Sequence, residues 1–164
     1  MTGRNAQTGD ARFEDADEGP LYLGAGDAED LGVISALVQD AVFTCADVAW
    51  QPRARRFALL LNRFRWEDRA AAQAAGRPYE RVRAVLDVAG VLAVRSQGFD
   101  RRDRDLVLSL LSLEWHPGED AAGRLVLVLA GDGALALEVE ALDVTLRDVT
   151  RPYRAPSGKA PDHA

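Results

Sequence analysis

Residues Asp27 to Thr44 read DAEDLGVISALVQDAVFT, the one stretch with a helical signature in a chain otherwise patterned as strands. Leu31, Ile34, Val38 and Ala41 recur at three- and four-residue spacing and form an apolar stripe, widened by Leu37. Asp27 stands where an N-cap belongs. Glu29 and Asp30 put negative charge in the first turn, beside unpaired N–H groups and the positive end of the helix dipole. An amphipathic helix of about fourteen residues is marginal alone in water and has to bury its stripe. The rest of the chain offers a sheet for that purpose.

Upstream, Leu21, Tyr22 and Leu23 make a brief strand ended by Gly24-Ala25-Gly26. Strand, GxG and helix together invite a dinucleotide-binding reading, but the third glycine of that pattern falls on Glu29. The acidic first turn would also repel a pyrophosphate, so a tight turn with a capped helix is the better account. Downstream, Asp47 to Gln51 and Phe57 to Trp66 read as strands separated by the arginine-rich turn Pro52 to Arg56. Phe57, Leu59 and Leu61 share one face and Leu60, Phe64 and Trp66 the other, so this strand is apolar on both sides and belongs in the middle of a sheet. Glu67 to Pro78 lacks large apolar residues and reads as a surface excursion with at most a helical turn.

Tyr79 to Val88 alternates, with Val82, Ala84, Leu86 and Val88 facing a core and Arg81, Arg83 and Asp87 opposite. Gly90 interrupts before a short strand from Val91 to Ser96, and Gly98 to Asp105 is a loop by composition. Leu106 to Trp115 is apolar on both faces and ends in a turn at His116-Pro117-Gly118. Arg124 to Ala130 and Ala134 to Val139 flank Gly131-Asp132-Gly133, the clearest hairpin signal in the chain. Leu142, Val144 and Leu146 alternate one residue out of phase with Leu135, Leu137 and Val139. A bulged or bent strand, or a helical stripe through Leu142, Leu146 and Val149, would each explain that. β-branched Val144, Thr145 and Val149 favour the strand.

The chain of 164 residues suits one core, and its single cysteine, Cys45, excludes an internal disulfide. Residues 1–19 are too polar to bury much and read as a disordered tail; 20–151 form a single α+β domain; 152–164, rich in proline, form a second tail. The start of the chain lacks the apolar run of a secretory signal, and no stretch is long and apolar enough to span a bilayer. A cytoplasmic protein without membrane contact is expected. Charge is uneven: residues 1–49 carry 2 basic and 10 acidic side chains, 50–104 carry 13 and 6, and 105–164 carry 5 and 10. Of the 20 basic residues only Lys159 is a lysine, a usage that genome base composition explains first and that also suits ion pairs or anion recognition.

The runs DAEDLGVISALVQDAV, PRARRFALLLNRFRWE, LVLSLL and LALEVEALDVTLRDV resemble a bacterial family of uncharacterised proteins, domain of unknown function 2948. The likeness spans roughly residues 21 to 150 and is most specific in EDLGVISALVQDAV and RRFALLLNRFRWE. It implies a small cytosolic bacterial protein and carries no assigned activity or catalytic residues.

Catalytic chemistry is sparse. His116 opens a Pro-Gly turn and His163 lies in the tail, Cys45 sits in an apolar context, and no nucleophile elbow, P-loop or paired-cysteine zinc signature occurs. These features point away from an enzyme and imply no metal and no cofactor. The candidate binding residues are Arg53, Arg55, Arg56, Arg63, Arg65, Arg81 and Arg83, interleaved with Phe64 and Trp66, which on an open sheet could hold phosphates and stack bases. Against that, the aromatics can belong to the core while the arginines pair with the acidic helix and termini. The fold expected is α+β: a curved antiparallel sheet of about seven strands, a roll or incomplete barrel, with one amphipathic helix near the N-terminus. The function expected is a non-enzymatic protein-binding or adaptor module, for itself or another protein. An RNA- or phosphate-binding module is the alternative, and a small enzyme with an unrecognised site comes third.

Overall fold

A computed structural model describes residues 19–155 and 159–161. The tail expected over residues 1–19 lies almost wholly outside them, as does most of the chain beyond Ala155. Strand β1, Tyr22–Ala25, leads into helix α1, Ala28–Leu37. The Asp27 side chain accepts from the Asp30 N–H at 2.8 Å, the cap that the sequence announces. Leu31, Ile34, Val38 and Ala41 are all buried.

The helix is nonetheless shorter than the stripe. The Val38 N–H closes the last turn on Ile34 O, Asp40 reverses the chain at φ 64°, and Val42–Thr44 becomes strand β2. Ala41 keeps the three-residue spacing because the turn buries it, so periodicity runs past the real helix end.

The remaining strands are β3 (Val48–Gln51), β4 (Arg56–Phe64), β5 (Glu80–Ala89), β6 (Val91–Gln97), β7 (Val107–Pro117), β8 (Gly123–Leu129), β9 (Ala134–Val139), β10 (Val144–Asp148) and β11 (Tyr153–Arg154). A second helix, α2, occupies Arg69–Ala75 within the expected surface excursion. All strand pairs are antiparallel, in the order β1-β10-β5-β4-β2-β7-β8-β9-β6, with β3 beside β4 and β11 beside β5. The end strands β1 and β6 do not pair, so the sheet is not closed. Inward side chains of β4 (Phe57, Leu59, Leu61) and of β8 (Leu125, Leu127, Leu129) share one apolar cluster, which means that the sheet wraps around a single core. Helix α1 packs on β7 and β1, and the Leu113 N–H donates to Ser35 Oγ at 2.9 Å.

Among the described residues there are eleven strands where about seven are expected from pattern. β2 and β11 have three and two residues, too few for alternation to register, whereas β1 and β3 fall on the short strands expected at 21–23 and 47–51. The phase slip near Glu140 is a corner rather than a bulge. Backbone bonds Glu140 N–H to Gly90 O (2.9 Å) and Ala89 N–H to Asp143 O (3.0 Å) set the β9–β10 turn beside the β5–β6 turn. At Gly90 φ is +70°, a left-handed conformation that favours glycine. The hairpin signal holds, with Gly131 and Asp132 both at positive φ.

From Pro152 the chain does not leave the domain at once. Tyr153 and Arg154 pair with Arg81 and Glu80, and Ala155 is buried. No helix among the described residues is long and apolar enough to cross a membrane.

Candidate functional site

Strand β4 turns its odd residues inward. Phe57, Leu59 and Leu61 occupy three successive core positions, and the fourth is Arg63, whose side chain is 0% exposed. A guanidinium in that position requires every N–H to find an acceptor. Nε and Nη2 donate to the two carboxylate oxygens of Asp148, both at 3.1 Å. Nη1 and Nη2 donate to Glu67 at 2.9 and 2.7 Å, and Nη1 also donates to Phe64 O at 3.3 Å. All five donors are used, in two forked pairs of the strong bidentate kind. Asp148 reaches the site because β10 points Val144 and Leu146 inward and continues the alternation; its Oδ2 also accepts from the Leu21 N–H at 3.0 Å.

Arg65, likewise buried, extends the network. It lies 3.8 Å from Glu67 and 3.5 Å from Asp68, and it donates to Glu80. Asp68 in turn receives a forked pair from Arg77 at 2.7 and 2.6 Å. Burial alone would raise the pKa of Glu67, but the hydrogen bonds and charge of Arg63 outweigh it and hold the carboxyl below its usual range. Arg77 does the same for Asp68. These carboxylates are thus fixed as anions and are poor general bases.

Phe64 and Trp66 are not a platform for bases. Phe64 is fully buried, edge-on to Trp66 with ring centroids 4.7 Å apart and tilted against Tyr79 at 5.7 Å. The indole N–H donates to Gln39 O at 2.9 Å, and the Arg69 guanidinium lies over the Trp66 ring at 5.8 Å.

The other predicted arginines are scattered. Arg53 is exposed in the β3–β4 turn; Arg55 pairs with Glu140 and Arg56 with Asp87, each at 2.6 Å on the surface. Arg81 donates to Asn62 O and Oδ1 at 3.2 and 3.3 Å, and burial lowers its pKa. Arg83 is exposed, opposite Asn62 in the β4–β5 register. Arg56 and Arg63 are separated by about 23 Å of extended strand, so the structure does not bring the seven together. Nor are their partners on the acidic helix: among the described residues no ion pair joins them to Asp27, Glu29 or Asp30. A cleft of about 810 Å³ flanks the buried network, with Glu80 and Asp148 in its wall and Gly19, Pro20 and residues 149–152 around them.

Sequence reasoning missed Glu67, Asp68, Arg77, Glu80 and Asp148. Two signals pointed to part of the set: Glu67 follows Arg63 by four residues, and a charge at the next inward position of an alternating strand demands a partner.

Elsewhere, Cys45 is buried, and burial, then Asp103 and Asp100, push its thiol pKa up. His116 is exposed on β7, 3.1 Å from Glu114. Among the described residues no group of His, Cys, Asp and Glu could hold a metal ion.

The open ends of the sheet are the other distinctive surface. β6 runs seven residues and pairs with β9 as its only strand neighbour, while at its start the Val91 N–H donates to Arg55 O at 2.8 Å. Leu92 on it is 51% exposed. β1, at the other end, pairs only with β10 and carries Tyr22, 71% exposed.

No curated protein and no solved structure matches this chain. A family model described as "Protein of unknown function (DUF2948)" matches residues 21–163, which include every described strand and both helices. The chain therefore belongs to the DUF2948 family, whose function is not known.

Proposed function

We propose that this domain is a non-enzymatic protein-binding module that docks an extended segment of its partner along β6. The observation carrying this reading is the open edge itself. Beyond Val91, whose N–H is bonded to Arg55 O, the strand has one strand partner and presents its other edge to an incoming strand, and exposed Leu92 adds an apolar contact beside it. The burial of Arg63 and Arg65 among carboxylates supports a protein partner over a nucleic acid, because it removes two of the seven arginines from solvent.

The test is affinity capture from the native cell, with and without nuclease, using the parent and Leu92→Glu. Leu92 is half exposed, so the variant should melt like the parent, while a charge on the edge opposes strand addition. Protein partners that survive nuclease and are lost with Leu92→Glu are expected. Capture abolished by nuclease would instead favour the RNA-binding reading. Recovery of the same chain as the main partner would make the edge a self-association surface, readable by sedimentation.

A further inference from the structure

Beside β3, which pairs with β4 alone, the core is finished at a seam by the loop after β6 rather than by a strand. In that seam lies a pocket of about 270 Å³. Val48 and Trp50 of β3, Leu135 of β9 and Phe99 of the loop make its walls, with the Cys45 thiol among them and Arg101 and Arg104 at its lining too. The thiol is held by a weak contact to Asp100 O at 4.0 Å.

Two features distinguish this pocket from an ordinary packing defect. Trp50 and Phe99 both line it, yet their rings make no contact with each other; the ring contacts among the described residues are Phe64 with Trp66 and with Tyr79. Two aromatic side chains in the lining favour a flat apolar ring as the ligand's body. The guanidinium groups of Arg101 and Arg104 have no hydrogen bond or ion pair among the described residues, whereas those of Arg55, Arg56, Arg63, Arg65 and Arg77 are all engaged by carboxylates. Of the nearby acids, Asp100 is already bound to the Arg102 N–H and guanidinium, which leaves Asp103 as the counter-charge near the thiol.

We infer that this seam is a binding site for a small aromatic carboxylate, its ring between Trp50 and Phe99 and its anionic end on Arg101 and Arg104. The pocket is at the small end of ligand clefts and fits a body on the order of ten non-hydrogen atoms. The site is separate from β6 and does not depend on the protein-binding reading.

The probe is 3-phenylpropionate, with 3-phenylpropanol as its uncharged counterpart and octanoate as its aliphatic one. Binding is measured by calorimetry on the full chain, and occupancy by the rate at which iodoacetamide modifies Cys45, the only cysteine and therefore an unambiguous reporter. The expected result is a Kd below ~1 mM for 3-phenylpropionate. Cys45 alkylation should slow about tenfold at saturation. Both effects should be lost in Arg101→Ala with Arg104→Ala, two exposed loop positions, with the melting temperature unchanged. No binding, or binding that leaves Cys45 alkylation unaffected, would overturn the site. Equal affinity for 3-phenylpropanol would overturn the anionic end, and equal affinity for octanoate the aromatic one.

Discussion

Arg63 shows what one residue can demand of a fold. Removing its guanidinium would leave Glu67 and Asp148 charged, mostly buried and short of donors, and breaking a buried pair from one side costs about 3–5 kcal/mol. Arg63→Met should therefore melt far below the parent. Adding Glu67→Gln and Asp148→Asn should recover part of the loss, since a neutral amide tolerates an incomplete set of partners better than an anion does. Acid tests the same network. Glu67 and Asp68 have folded pKa values below their unfolded ones of about 4.3 and 3.9. Their contribution is complete above those values and is lost as pH falls through the lower folded values, when the protons bind. Urea melts from pH 6 downward should show stability falling from about pH 4 in the parent and less steeply in the triple variant. A parallel decline in both would show that these pairs do not govern acid stability. The position of Arg63 was legible in advance: the alternation Phe57, Leu59, Leu61 points straight at it. Its partner Asp148 was not, because 85 residues separate them and no local pattern reports which strand lies opposite.

At the level of elements, structure is legible where a single period dominates and is lost where a period crosses an element boundary. The cap and the buried face of α1 follow from spacing alone. Ile34 is fully buried on that face, so Ile34→Asp should abolish soluble folded protein, combining a lost aliphatic contact with an unpaired buried carboxylate at a cost of several kcal/mol. A variant melting like the parent would mean that the face is not packed. The shortest strands, β2 and β11, left no periodic trace, and β11 is the instructive case. Prolines around it suggest a tail, but Asn62 Nδ2 donates to the Tyr153 hydroxyl and the Ala155 N–H donates to Tyr79 O at 2.8 Å. Ending the chain after Ala155 should leave the melting temperature near that of the parent, and ending it after Pro152 should lower it by several degrees, about 1–2 kcal/mol for the lost strand pairing and buried contacts. Equal melts for the two truncations would show that β11 contributes nothing.

For the whole molecule, the decisive question is whether a basic middle within an acidic chain makes a polyanion-binding surface. Counting residues by segment suggested one, because a linear count cannot know that Arg63 and Arg65 fold inward while Glu67, Asp68, Glu80 and Asp148 converge on them. Of the seven candidate arginines, those that remain exposed are Arg53, Arg55 and Arg56 at one end of β4 and Arg83 toward the other, with Arg55 and Arg56 facing Glu140 and Asp87 at 2.6 Å. Charges separated by more than the ~8 Å Debye length of physiological salt act independently, so these cannot pool their attraction across the strand. With a net charge of −6, the long-range field is also repulsive to phosphate. Single-stranded RNA should therefore bind no tighter than micromolar at near-physiological salt, measured by fluorescence anisotropy, and what binding there is should weaken steeply as salt rises. The informative variant is Arg53→Glu with Arg55→Glu and Arg56→Glu, because substituting Arg63 or Arg65 would unfold the protein and remove binding for the wrong reason. Submicromolar binding that this triple variant abolishes, with its melt unchanged, would reverse the ranking and make the β3–β4 turn a nucleic-acid interface.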